Sequence, residues 1–277
     1  MPEPRLIDTW HLGLDRVIGA WELDGMLVDP GPASTIERVL ADLPGGRPRA
    51  VLLTHIHLDH AGAAGTLASR FPDLPVYVHE AGAPHLTEPS RLLRSAERLY
   101  GDRMGDLWGE ILPVPERNLV ALSGGEIAEG LDVIAAPGHA SHHVVYLDRD
   151  RGEAYTGDVA GVRIPPGGEV WLPTPPPDID LERWRASIEL VAERGPERLM
   201  LTHYGSVEDP APHLAALVEE LDRLVADSRD RDRDRFLGRL GERIAGEAPE
   251  IAERVRSAMP PELNWLGLER YWGLRET

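Results

Sequence analysis

The chain has 277 residues, 29 of them basic and 47 acidic, for a formal charge of −18 at neutral pH. It is long enough to bury a large core, and 42% hydrophobic with 27% charged residues reads as globular rather than disordered, collagen-like or membrane-spanning. The acidic balance argues against a long nucleic acid or an anionic membrane as partner. The sequence has no Cys, Lys or Gln, which removes disulfides, thiolate nucleophiles, Cys-held zinc, Schiff-base lysines and the phosphate-loop lysine.

Residues 1–10 lack the apolar core of a signal sequence, so a cytoplasmic protein is expected. Short β-rich runs at Arg16–Ala20 and Met26–Val28 are separated by Asp24-Gly25 and followed by Asp29-Pro30-Gly31-Pro32. Ser34 with Glu37 three residues on has the pattern of a capping box for a helix to about Leu43. The continuous apolar run Arg49–Leu53 predicts a strand buried on both faces. A helix over Asp59–Arg70 and a strand over Val76–His79 follow. Residues 84–118 change character: Ser90–Tyr100 has helical spacing between Pro-containing stretches, predicting an inserted helical flap. Strands are predicted around Glu126, at Leu131–Ala135, Val144–Leu147 and Ala154–Thr156. Asp180 caps a helix over Leu181–Arg194, and Leu199–Leu201 is one more strand. From residue 211 the pattern is helical, with Leu214, Leu217, Leu221, Leu224 and Val225 as a core stripe. Arg229–Arg235 alternates Asp and Arg and reads as a solvated run. Strands and helices alternate in two halves, which favours an α/β fold.

The chemistry concentrates in Thr54-His55-Ile56-His57-Leu58-Asp59-His60, between the buried strand and a helix. In extended backbone His55 and His57 point the same way, while Asp59 and His60 lie where the chain turns. Three imidazoles and a carboxylate within six residues suit zinc, iron or manganese. Further ligand-type residues follow strands at Gly138-His139, Gly157-Asp158 and Thr202-His203, the ends at which sheet proteins collect their sites.

With these motifs in this order, the sequence resembles the metallo-β-lactamase superfamily over about residues 10–205. The resemblance implies a four-layer αβ/βα sandwich and two divalent metal ions, zinc first and manganese or iron as alternatives. Together with the residue pattern, a catalytic domain over 1–210, containing the 84–118 flap, is expected, and beyond the resemblance a helical extension over 211–277 packed on the same domain. His55, His57 and His139 would hold one ion; Asp59, His60 and His203 the other; Asp158 would bridge both. Asp59 would also orient the attacking water or pass its proton to the leaving group. Asp29, in Val28-Asp29-Pro30-Gly31, and His143 would support the ligands from behind. His142, His79, His11, His85 and His213 read as structural.

For substrate contact the expectations are Arg94, on a helix face with Arg91 and Arg98, together with Arg163 and Tyr204 beside the metal-site loops. Trp171 is a further neighbour. Lactonases of this family often place a Tyr shortly after the bridging Asp; here Asp158 is followed by Val159-Ala160-Gly161-Val162-Arg163. Glyoxalase-II-like members hold glutathione with basic residues, and this chain has no Lys. The leading expectation is a dinuclear hydrolase of a small ester, lactone or thioester. Alternatives are a phosphodiesterase using the same site, a mononuclear iron persulfide-dioxygenase-like enzyme using His55, His139 and Asp158, and a non-catalytic relative. The aromatic segment Asn264–Trp272 is expected to pack back on the domain or to form a homodimer contact.

Overall fold

The computed structural model describes residues 2–165 and 168–275. Within them lie two six-stranded sheets. The first contains β1 (Arg5–Asp8), β2 (Gly19–Leu23), β3 (Met26–Val28), β4 (Ala50–Leu52), β5 (Val76–His79) and β6 (Leu119–Leu122), side by side in chain order. The second contains β7 (Ile127–Ala128), β8 (Leu131–Ala135), β9 (Val144–Asp148), β10 (Glu153–Tyr155), β11 (Arg198–Leu201) and β12 (Gly205–Val207), again in chain order.

Parallel neighbours need a crossover, and that requirement places the helices. Pairs β3–β4, β4–β5, β5–β6 and β10–β11 are parallel. They are bridged in turn by α1 (Ile36–Asp42), by α2 (Leu58–Ala61) with α3 (Ala64–Arg70), by the flap, and by α7 (Leu181–Glu193). The flap holds α4 (Ala83–Thr87), α5 (Ser90–Tyr100) and α6 (Met104–Trp108). After β12 come α8 (Pro210–Ser228), α9 (Arg233–Gly246), α10 (Pro249–Ala258) and α11 (Pro261–Arg275).

Strand alternation sorts the apolar side chains into three layers. Ala50 and Leu52 of β4 face Val144 and Tyr146 of β9 across the space between the sheets. Val51 and Leu53 point the other way, onto α1 and α3. Val145 and Leu147 point onto the helices of the second half. The result is an αβ/βα sandwich. Leu214, Leu217, Leu221 and Leu224 of α8 are buried with that second sheet, as are Trp265, Leu268 and Tyr271 of α11. Burying each such side chain stabilises the fold by about 1.5–3 kcal/mol. No helix of the described residues is long and apolar enough to cross a membrane.

Local differences from the sequence expectations have identifiable causes. The predicted capping box at Ser34 does not form: its hydroxyl donates to the Leu107 carbonyl of the flap at 2.8 Å, and α1 starts at Ile36. The single helix expected over 59–70 is two, α2 and α3. Their junction is drawn aside by Gly31, whose N–H donates to His60 O and whose carbonyl accepts from Ala63 N. Strands β1, β6 and β12 are additional to the expected ones, each three or four residues long. Asp180 caps α7 as expected, accepting from Arg183 N at 3.1 Å. In the Asp/Arg run, Asp232 caps α9 and Arg235 pairs with Asp230 at 2.8 Å.

Candidate metal centre

The loops after β4, β8, β10 and β11 meet at one edge of the sandwich. They form two groups of side chains that could each hold a metal ion: His55, His57, His139 and Asp158, and beside them Asp59, His60 and His203. In the first, His57 Nδ1 lies 3.0 Å from His55 Nε2 and 2.9 Å from His139 Nε2, with Asp158 Oδ2 at 3.2 Å from His139 Nε2. In the second, His203 Nε2 is 3.4 Å and His60 Nε2 3.7 Å from Asp59 Oδ2. The other Asp158 oxygen, Oδ1, is 3.2 Å from His60 Nε2 and 3.5 Å from His203 Nε2. One carboxylate therefore serves both groups, one oxygen to each.

The imidazoles are oriented from behind. His139 Nδ1–H donates to Pro173 O at 3.0 Å and His203 Nδ1–H to Val17 O at 2.6 Å. His60 Nδ1–H donates to Asp29 Oδ2 at 2.8 Å. His55 Nδ1 lies 3.1 Å from Thr54 Oγ1, whose hydroxyl in turn donates to Asp29 at 2.7 Å. With Nδ1 engaged from behind, Nε2 of all four rings faces inward. Asp29 is the hub: wholly buried, with φ 49°, it also accepts from Thr54 N at 2.8 Å and Thr202 Oγ1 at 3.0 Å. His143 holds the Asp158 loop by accepting from Asp158 N at 3.2 Å. Gly157 makes that loop possible, since at φ +48° an added Cβ would sit 2.3 Å from Thr54 Oγ1 and 2.9 Å from His143 Nε2.

Three buried atoms pointing into this space, His60 Nε2, His203 Nε2 and Asp158 Oδ1, have no hydrogen-bond partner. Orphaned buried polar atoms are costly, and a cation at their meeting point satisfies all three. The electrostatics agree. Burial holds His55 well below the usual imidazole range and His139 down to about 3; His57 is lowered likewise, so all three are neutral donors. Burial also pushes His60 and His203 down, but Asp158 and Asp59 outweigh it and raise both, His60 most. Asp158 and Asp59 stay ionised because the facing imidazoles overcome their own burial. The donor set fits divalent cations, which take the place of the two imidazole protons.

The centre forms the floor of a cleft of about 390 Å³, lined there by half-buried His57 and Asp59 and by the buried Asp158 and His203. One wall is the flap and the other is the stretch Arg256–Asn264 with Pro173 and Pro175–Pro177. His11, read as structural from the sequence, lines this cleft, stacked on Trp108 with centroids 5.4 Å apart and planes 11° apart. Its position depends on two left-handed residues, Trp10 and Leu12, that no local motif announces. The expected substrate contacts lie elsewhere. Arg94, with Arg91 and Arg98, is on the exposed face of α5 and outside the cleft. Arg163 and Tyr204 line a separate, shallower depression, where Tyr204 donates to Asp8 at 3.0 Å. Trp171 is buried under Arg243. His213 is structural as expected, bonded to Ala160 O at 2.8 Å. Thr54, Thr202 and Trp184, which packs edge-on to His139, complete the setting and were not singled out by the sequence.

The fold and the paired donor groups define a sandwich with a cation-binding edge. The chain belongs to the metallo-β-lactamase superfamily, whose family model matches residues 23–203. Among solved structures it is similar to a superfamily member from the archaeon Sulfolobus tokodaii, with 22% identity, TM-score 0.72, and 97% of this chain and 99% of that one covered. A second similar structure is a protein solved in a di-iron-bound form, with 25% identity, TM-score 0.52, and 73% and 93% coverage. Among curated proteins it is 29% identical over 133 residues to the hydroxyacylglutathione hydrolase of Thermosynechococcus vestitus, covering 48% of this chain and 42% of that one. The chain spans less than half the length of the hydroxyacylglutathione hydrolases it matches.

Proposed function

We propose that the protein is a metal-dependent hydrolase of a small carboxylic ester, lactone or thioester, active with two divalent ions, zinc first among them. The observation that carries this reading is the set of orphaned atoms, His60 Nε2, His203 Nε2 and Asp158 Oδ1, at the junction of two donor groups on the floor of an open cleft. His55, His57 and His139 would hold one ion and Asp59, His60 and His203 the other, with Asp158 shared. Bound there, the ions supply Lewis acidity for a carbonyl oxygen and make water acidic enough to ionise near neutral pH. The chain does the rest. Asp29 and the backbone acceptors fix the imidazoles before substrate arrives. Asp59, whose side chain is 21% exposed, reaches the cleft and is placed to orient the attacking water or carry its proton to the leaving group. The similarity to hydroxyacylglutathione hydrolases supports the thioester branch.

Metal analysis of protein purified without chelator, joined to a screen of esters, lactones, thioesters and phosphodiesters, tests the reading. About two zinc or manganese ions per chain are expected, with hydrolysis lost in His57→Ala. One iron per chain with oxygen consumption on a persulfide would replace the hydrolase by a dioxygenase. The complete second group, Asp59, His60 and His203, favours the two-ion reading.

A further inference from the structure

The walls of the cleft differ chemically from its floor. The face that α5 turns inward carries Leu92, Ser95, Ala96 and Leu99, spaced as neighbours on one side of a helix. Leu107 and Trp108 extend it along α6, and Met259 and Leu263 stand opposite. The arginines of α5 are on its other side, exposed to solvent.

The remaining wall offers little to a polar group. Pro173, Pro175, Pro176 and Pro177 have no N–H to donate. The Pro173 carbonyl is taken by His139 and the Pro177 carbonyl by Arg270. Asn264 is turned toward the backbone behind the wall: its Oδ1 accepts from Thr174 N at 2.9 Å and its Nδ2 donates to Leu172 O at 3.3 Å. Helix α11 is seated closely against this stretch: a Cβ on Gly267 would lie 1.9 Å from Thr174 O. Charged side chains on the lining away from the floor, Arg103, Arg256 and Glu262, are exposed. The polar groups on the walls are few and scattered: His11, whose ring lies flat against Trp108, the Trp108 indole N–H, and the hydroxyls of Ser95, Tyr100 and Ser257.

Resting on the hydrolase reading above, we infer that the cleft selects an ester or thioester bearing an elongated apolar group beside the scissile carbonyl. That group fills the space between flap and C-terminal helices, and the carbonyl meets the floor. A peptidic or hydroxylated group such as glutathione would lose its hydrogen bonds to water against these walls and find few in exchange. An apolar chain loses none and buries surface with each methylene.

Two series of substrates for the metal-loaded enzyme test this. One runs from acetyl to dodecanoyl thioesters of a single thiol; the other runs acetate esters from ethyl to dodecyl. In one series kcat/KM should rise about two- to fourfold per added methylene until the cleft is full, and the series that responds identifies the side of the carbonyl that lies in the cleft. Calorimetric binding of octanol provides a readout that needs no turnover: a negative heat-capacity change is expected, the mark of apolar burial. Leu99→Glu, at a half-buried position, should abolish octanol binding and flatten the chain-length slope. Arg94→Ala, outside the cleft, should change neither. Hydrolysis that is flat or falling with chain length, or fastest on a hydroxyacylglutathione, would overturn the inference and leave the hydrolase reading standing. Octanol binding lost in Leu99→Glu, without turnover of any ester, would do the reverse. Failure of octanol to bind the wild-type protein would overturn the inference outright.

Discussion

The floor and the walls of the cleft are built by opposite means. Floor residues stand on loops immediately after buried strands, and the imidazoles of His60, His203 and His139 are each bonded from behind, to Asp29, Val17 O and Pro173 O. The walls are helices held by apolar packing, such as the cluster of Leu58, Ala96, Leu107 and Trp108. Hydrogen bonds fix direction, so the floor can aim lone pairs at a point. Dispersion and burial fix distance and volume but not direction, so the walls can shape a space without addressing any one atom. A site that must place ions and also admit a variable organic group needs both.

If the two regions are separable, each can be broken alone. The largest effect is expected at the shared carboxylate. Asp158→Ala removes a donor from both groups, so metal content should fall and activity drop about 10³-fold or more, while far-UV circular dichroism stays native. Next, the scaffold behind the walls depends on Glu220 of α8, buried and bonded to Arg243 of α9 at 2.9 Å and to Arg223 at 2.8 Å. Glu220→Ala leaves the half-buried Arg243 without its main partner and should cost about 3–5 kcal/mol in denaturant melts, with metal content per folded chain unchanged. Asp29→Asn tests the floor without touching the walls. It weakens the support of His60 directly and of His55 through Thr54, and metal affinity should fall about 10–100-fold. A competing chelator titration reads this, and octanol binding should be retained.

The smallest effect lies far from both regions. Glu126, at an exposed turn, accepts from Ser123 and from Gly124 N at 2.8 Å. These bonds draw its pKa from 4.5 down to about 2. A carboxyl lowered on folding contributes stability that is complete above 4.5 and fades as pH falls toward 2. Glu126→Gln should therefore melt slightly earlier than wild type at neutral pH, and the difference should vanish in acid. A gap that persists in acid would break this account.

Much of this molecule is legible before it is folded. Arg49–Leu53 reads as a doubly buried strand because it is apolar at every position from Ala50 on, and Val51 and Leu52 do face opposite layers. The histidine-rich segment after it is recognisable from residue type and spacing, and the strand-end positions of His139, Asp158 and His203 follow from elements that sit close to where the pattern puts them. Ser34 shows the limit of local reasoning: its neighbours describe a cap, yet a carbonyl 73 residues away takes its hydroxyl. Arg94 shows another. Helical spacing places it with Arg91 and Arg98 on one face, but spacing does not say which face meets the cleft.

The residues alone therefore carry what is chemical and local: which groups are able to bind cations and which strands are buried. It takes the assembled fold for Asp29 to join Thr54, His60 and Thr202 into one network. That fold also decides that His11 reaches the cleft and that the flap turns leucines inward and arginines out. The reason is physical. A ligand's identity is carried by its own side chain. A hydrogen bond across 173 residues, as between Thr202 and Asp29, or the choice of an inward face, is settled by which burial satisfies the most groups at once in the assembled fold.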